Sequence, residues 1–307
     1  MKERIKDARP MMDLMAKKIF SNPEITAQFI SDILDLPVHH VKILDGTQIH
    51  DHQFEDIKTY VTSIDVLAEL NDGTQVIIEI QVAYQFDFIK RLWLYQCNQV
   101  TKNADEHKKE GVETHRLAEE MLPVYSIAIM QKRYFNDEEM IHVYCHKERK
   151  RNDELKVHFK GFEEEQNLSL MGFLELEKYN EDKIEEYKKE RWIEFFGNQP
   201  YTQTPEKILK QADRIVSRID WTKEEREMYD ERTRYIQAYL GHLASVEKEK
   251  KDAISQALTE GKAEGIEHGK KMMIISLIKD GLLSKEEGAK RLSISVIELD
   301  EYMSAEE

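Results

Sequence analysis

The sequence predicts a mixed α/β domain built on a central sheet, followed by a region that is almost wholly helical. Three observations carry this reading. Residues 62–70 and 76–82 alternate apolar and polar side chains around the turn-forming cluster Asn71-Asp72-Gly73. Residues 123–130 form a compact apolar run with the length and β-branched content of a buried strand. From about residue 181 apolar positions recur at helical spacing, and Gly261, Gly265 and Gly269 recur every four residues.

Taken in chain order, residues 8–20 read as a helix with Met11, Leu14, Ile19 and Phe20 as its apolar positions. Ser21-Asn22-Pro23-Glu24 starts a second helix, with a polar cap, proline in the first turn and an acid at the positive end of the dipole. Leu36-Pro37 stops it. Residues 38–60 suggest short extended pieces before the hairpin. Residues 86–103 return to helical spacing through Phe88, Ile89, Leu92, Trp93, Tyr95 and Val100. Residues 141–146 and 157–160 supply further short strands. The alternation of helices with antiparallel strands implies one central sheet with helices around it.

Helices are expected over 181–196, 205–217 and 223–271, with residues 198–205 as a loop. Lys279-Asp280-Gly281 ends a helix, Ser284-Lys-Glu-Glu287 is a capping box, and Ser295 caps a last helix. This tail resembles a helix-turn-helix unit. Its would-be recognition helix, Val-Ile-Glu-Leu-Asp-Glu-Tyr-Met, has three acids and no base, which argues for packing or assembly rather than DNA reading. The glycine stripe among charged neighbours predicts close approach of another helix, from a partner chain. Three stretches follow: a sheet-bearing domain over 1–180, a helical region over 181–250, and a glycine-spaced assembly element over 251–307.

Composition narrows the function. The 307 residues carry a formal net charge of −15, so bulk attraction does not draw this chain onto nucleic acid. Any such contact must be local, and the best basic run, residues 147–151, reads as a solvated loop. No apolar run reaches about 18 residues, and the N-terminus lacks the apolar segment of a signal peptide, so neither membrane nor secretion is expected. Cys97 and Cys145 have no metal-ligand spacing, which suits free thiols in the cytoplasm.

The hairpin carries the chemistry. A three-residue loop with left-handed Gly73 sets Ile64 opposite Ile80, Val66 opposite Ile78 and Ala68 opposite Val76, and keeps the apolar side uniform. Asp65 then faces Glu79, and Ser63 faces Gln81. Opposed carboxylates destabilise a sheet unless something compensates. One compensation is a divalent cation, since Mg²⁺ takes oxygen ligands from one or two carboxylates; the other is plain solvation, with Asp65, Glu69 and Glu79 pointing to water. His50, Asp51 and His52 form a weaker metal constellation, more simply read as surface histidines.

The pattern Asp65, then Glu79-Ile-Gln81 on the next strand, resembles the PD-(D/E)XK nuclease superfamily. Within it the chain resembles the Rpn group of bacterial recombination-promoting nucleases, or nuclease family transposases. Asp13-Leu-Met-Ala-Lys-Lys-Ile-Phe20 is similar to that group's opening Asp-x-x-Phe-Lys helix, with Ala16 in place of the aromatic. Ile64-Asp-Val-Leu-Ala and Gly73-Thr-Gln-Val-Ile-Ile-Glu-Ile-Gln81 are similar to its core motif. Arg91-Leu-Trp-Leu-Tyr95 is similar to its Arg-x-x-x-Tyr helix, and the glycine-spaced helix and capped tail to its C-terminal end.

The resemblance implies a restriction-endonuclease-like mixed sheet and Mg²⁺- or Mn²⁺-dependent hydrolysis of DNA in recombination, mobile-element or defence biology. It assigns Asp65 and Glu79 as metal ligands and Gln81, where the superfamily has lysine, as a residue positioning water or a phosphate oxygen. Asp13 becomes a further metal or water contact, and Arg91 and Tyr95 bind phosphate or brace the acids. DNA and further copies of the chain are the implied partners. The competing reading is a non-catalytic assembly or regulatory protein on a nuclease fold.

Overall fold

The computed structural model describes residues 9–44, 47–50, 60–217 and 221–304. One compact unit ends at Tyr229 and a second covers Asp230–Glu307.

The first unit opens with α1, Asp13–Phe20, and α2, Pro23–Leu34. The Asn22 side chain accepts the Glu24 and Ile25 N–H groups at 3.0 and 3.2 Å, which satisfies donors that an uncapped α2 would leave orphaned. Left-handed Asp35 ends the helix. Strands β1 (Val41–Leu44), β2 (Thr47–His50), β3 (Tyr60–Ser63), β4 (Val66–Leu70) and β5 (Gln75–Gln81) follow, then α3 (Phe88–Lys109) and α4 (Leu117–Glu120). Strands β6 (Val124–Met130), β7 (Ile141–Cys145), β8 (Lys156–Val157), β9 (Gln166–Asn167) and β10 (Leu170–Glu175) complete the β structure.

Six strands form one sheet in the order β1-β4-β5-β6-β10-β7, with β2/β3 and β8/β9 as separate pairs. The β5–β6 and β6–β10 pairings are parallel; β1–β4, β4–β5 and β10–β7 are antiparallel. The hairpin register is Val66↔Ile78 and Ala68↔Val76, as the alternation predicts, but the expected Ile64–Ile80 pair does not form: the ladder stops at Val66, and Ile64 packs with Leu67, Ile77 and Phe88 instead. Leu70 and Thr74 close a three-residue loop in which Gly73 has φ +87. A Cβ there would lie 2.7 Å from Leu122 Cδ1, so glycine answers both the dihedral and the space.

Both faces of this sheet are covered, which weighs against one of the two alternatives for the acid-bearing face, plain solvation. On one side Val66, Ala68, Val76, Ile78, Ile127 and Ile129 lie toward α2; Gly172 of β10 lets Ile33 and Leu34 close in, at 3.2 and 3.3 Å from where its Cβ would stand. On the other side Leu67, Ile77, Phe88, Leu92, Tyr95, Ala128 and Phe173 form one cluster under α3. Buried amides align α3: Gln96 donates to Val124 O and Ser169 Oγ, and Gln99 to Gln75 Oε1. Strand β10, inserted between β6 and β7, is absent from the sequence reading.

Helices α5 (Tyr187–Phe196) and α6 (Lys207–Val216) complete this unit. Trp192 and Phe196 meet Phe29, and Phe196 also stacks on Phe20, at centroid distances of 5.2–5.8 Å. Fully buried Asp32 on α2 accepts from Trp192 Nε1 and pairs with the buried Arg191 guanidinium, which also reaches Glu206.

Helix α7, Lys223–Lys279, is followed in the second unit by α8 (Lys285–Leu292) and α9 (Val296–Ser304). Ile275, Ala289 and Leu299 form a small core there. Ser295 and Glu298 cap α9 reciprocally, while the Ser284 hydroxyl accepts the Glu287 N–H of α8. An added Cβ at Gly261, Gly265 or Gly269 would meet nothing within 4 Å among the described residues.

Removing one partner of a buried ion pair strands the other charge, which typically costs about 3–5 kcal/mol. Asp32→Ala is expected to lower the urea unfolding free energy by about 3 kcal/mol or more. Lys188→Ala, at the half-exposed neighbour of Asp32, is expected to change it by less than about 0.5 kcal/mol. Equal effects would mean that the Asp32–Arg191 contact is dispensable.

Candidate functional site

The hairpin delivers Asp65 and Glu79 to one end of the α3-covered sheet face. The β4–β5 ladder stops at Val66↔Ile78. One step beyond, the Ile80 N–H donates to Asp65 Oδ2 at 2.8 Å, so a carboxylate stands where a ladder carbonyl would accept. The Asp65 N–H in turn donates to Glu79 Oε1 at 3.1 Å. The two acids interlock through each other's strand backbone and do not merely face one another across a pleat. Burial pushes the Glu79 carboxyl up to about 8, and the neighbouring Asp65 charge adds to that; the Asp65 N–H, Arg91 and Lys17 pull the other way.

Two cations border the pair. Lys17 of α1 has its Nζ 4.0 Å from Asp65 Oδ1, at the edge of ion-pair range. The hairpin, residues 63–81, carries no base of its own, and α1 brings one to it. The lysine side chain is about two-fifths exposed, so it does not neutralise the buried Glu79 outright. Arg91 of α3 donates from Nη2 to Gln81 Oε1 at 2.9 Å and from Nη1 to Gln85 Oε1. Gln81 Nε2 donates to Ala83 O. Both ends of the Gln81 amide are therefore used within the protein. The amide thus aligns Arg91, with one N–H and one lone pair beyond these two bonds.

The loop between β5 and α3 is fixed by the segment that follows β6. The Gln85 N–H donates to Tyr134 Oη at 2.9 Å, and the Tyr84 and Tyr134 rings stack 4.7 Å apart. Tyr134 is held in turn by Glu175 of β10, whose Oε1 accepts the Tyr134 and Phe135 N–H groups.

Glu175, Asp137 and His142 offer ligand atoms within 4.8 Å of one another, a second place where a metal is conceivable. Lys178 already occupies it. Its ammonium, fully buried, lies 2.5 Å from Glu175 Oε2 and 2.8 Å from Asp137 Oδ1. The hydrogen bond from Lys178 holds the Asp137 carboxyl down at about 2. A fixed cation between the carboxylates does the electrostatic work of an ion, so the cluster serves as a brace for the 131–137 loop. At the Asp65–Glu79 pair the ammonium recorded among the described residues, that of Lys17, stands 4.0 Å from Asp65 Oδ1. The pair's all-oxygen donors and raised Glu79 suit a hard divalent ion, which would replace the bound proton.

Of the other sequence-derived candidates, Tyr95 is buried in the α3 cluster and braces the sheet. Asp13 lies in the first turn of α1 and Ser63 ends β3, but their side chains, like that of His50, fall outside the described residues, as do Asp51 and His52 entirely. Lys17 was missed as a site residue. It stands in the last turn of α1, and nothing in its spacing ties it to Asp65. Cys97 and Cys145 are both free.

The sign of the pH dependence follows from proton counts. Between the ordinary glutamate value of 4.5 and about 8 the folded chain keeps a proton that the unfolded chain has lost. Stability therefore falls as pH rises through that window, by a few kcal/mol at most. Glu79→Gln is expected to flatten the fall in unfolding free energy between about pH 5 and pH 8. Mg²⁺ or Mn²⁺ at pH 8 is expected to raise the Tm of the parent and not of the variant. Parallel losses in both proteins would remove the burial argument.

No curated protein and no solved structure matches the chain. No described helix is long and apolar enough to cross a membrane. A family model described as PD-(D/E)XK nuclease family transposase matches residues 10–240, a span that includes the whole six-stranded sheet and both interlocked acids. The mixed sheet flanked by helices is the architecture expected of a restriction-endonuclease-like fold. With the match covering most of the chain, the protein belongs to the PD-(D/E)XK nuclease family transposases.

Proposed function

We propose that this chain is an endodeoxyribonuclease that hydrolyses phosphodiester bonds with Mg²⁺ or Mn²⁺ held by Asp65 and Glu79, in recombination, mobile-element or defence biology. The observation that carries the reading is the convergence of two carboxylates at the end of two interior strands, with Glu79 made reluctant to ionise until a cation arrives. When bound, the metal supplies charge to the scissile phosphate and acidifies a water.

The protein's own groups then have distinct tasks. The Ile80 N–H orients Asp65, and the Asp65 N–H orients Glu79, so neither carboxylate swings to find the ion. Arg91, aligned by Gln81 and Gln85, presents a planar guanidinium suited to phosphate oxygens. Lys17 adds positive charge from α1. Together they do what one strand lysine would otherwise do, which is to offset the charge of the substrate beside two acids. Asp13 and Ser63 remain candidates for outer contacts by their place on α1 and β3. Assembly of copies through the exposed glycine stripe of α7 belongs to the same reading.

A second reading, a non-catalytic assembly or regulatory protein, is favoured by one observation: Gln81, where the superfamily has lysine, is bonded at both its oxygen and its nitrogen inside the protein. Plasmid nicking and metal calorimetry separate the two. Wild type is expected to nick supercoiled DNA with Mg²⁺ or Mn²⁺ and to bind Mn²⁺ in the absence of DNA. Loss of groups outside the ligand set commonly costs 10–100-fold at metal sites, so Asp65→Ala or Glu79→Ala should lower the nicking rate by more than about a hundredfold and abolish the calorimetric signal. Nicking retained by both variants removes the proposed site. Wild type that neither binds metal nor nicks favours the assembly reading.

A further inference from the structure

An aromatic surface lies beside the carboxylate pair and has no task in the reading above. Tyr84, Phe86 and Trp93 are 57%, 86% and 61% exposed. The helical pattern groups Trp93 with the buried positions of α3, but the structure turns it outward, away from Phe88, Leu92 and Tyr95. Lys90 lies three residues before Trp93, on the same side of the helix, and its Nζ stands 6.0 Å from the Phe86 ring centroid. Tyr84 is stacked on Tyr134 and held as a rigid plane.

The local charge is opposite to that of the whole chain. Residues 82–103 contain Lys90, Arg91 and Lys102 against Asp87 alone, in a protein of net charge −15. Arg91, which borders the acids, is bonded there to two neutral amides. Gln85 lies between Tyr84 and Phe86 in the chain, so the guanidinium that acts on Glu79 is also tied to the segment that carries two of the three rings.

We propose that Tyr84, Phe86 and Trp93 form a stacking platform for unpaired DNA bases, so that the strand entering the Asp65–Glu79 site is single-stranded or locally melted. The proposal rests on the nuclease reading and names its substrate class. Every base has a face that stacks on an aromatic ring, and interleaved cations follow the phosphates, which is how sequence-tolerant single-strand binders work. In an intact duplex those base faces are already occupied. A two-fold interface between copies of this chain is the competing use of exposed aromatics, but it would bring the basic residues of one copy near those of the other.

The test is fluorescence anisotropy with the full chain in EDTA, using a labelled single-stranded oligodeoxynucleotide and the same sequence as duplex. Wild type is expected to prefer the single strand. Phe86→Ala and Trp93→Ala, both at exposed positions, are each expected to weaken single-strand binding about tenfold or more, with a smaller effect on duplex. Tyr239→Ala, an exposed tyrosine of α7, is expected to change neither. Unchanged single-strand affinity, or equal losses on single strand and duplex, overturns the proposal. So does a pair of variants that keep their affinity but sediment as smaller species, because the surface then joins copies of the chain. Binding is measured without metal, so a chain that binds as expected and never cleaves overturns the nuclease reading alone. A chain that cleaves while its aromatic variants bind normally overturns the platform alone.

Discussion

Two carboxylates that hold each other's backbone set the terms for the rest of this molecule. Asp65 takes the N–H of Ile80 and offers its own N–H to Glu79, so the acids are fixed where their mutual repulsion is largest. An ion pair can relax by swinging apart; this arrangement cannot without unzipping the end of a strand. Desolvation and like charge then act on Glu79 together, and the site favours either a proton or a cation. The hydrophobic cluster under α3 makes that possible by keeping water from one side.

The neighbouring groups read as a relay of supports. Lys178 and Asp137 tie Glu175; Glu175 holds the backbone at Tyr134 and Phe135; the Tyr134 hydroxyl anchors Gln85; Gln85 and Gln81 align Arg91. Each link is short and polar, and most are partly shielded from solvent. The guanidinium thus inherits its orientation from a strand on the other side of β6. The acidic cluster around His142 resembles a metal site by composition, but an ammonium in its middle turns it into scaffolding.

Much of this was legible in the chain alone. Gly73 and the apolar alternation settle the hairpin register, because a one-residue slip would turn the core side chains outward. The Asn22 cap and Pro23 mark the start of α2 through purely local chemistry. What escaped depends on tertiary contacts. Strand β10 has a glycine at its centre, which weakens any strand signal, and Gly172 makes sense only beneath α2. The acid-bearing face looked solvated because its polar residues stand at the ends, with Leu67 and Ile77 between them under α3. Trp93 shows the reverse error: an apolar residue at helical spacing was read as core, and only the placement of α3 turns it outward. Lys17 sits 48 residues from Asp65 in sequence, and no periodicity connects them.

The committed amide of Gln81 has a consequence for how such sites diversify. A lysine introduced there alone would lose the acceptor that Arg91 uses and would set ammonium against guanidinium in a half-buried corner. Reverting to a strand-borne ammonium would thus require the helix cation to leave at the same time. The two positions form an epistatic unit, and a path between the two charge arrangements that changes one residue at a time passes through an intermediate worse than either end.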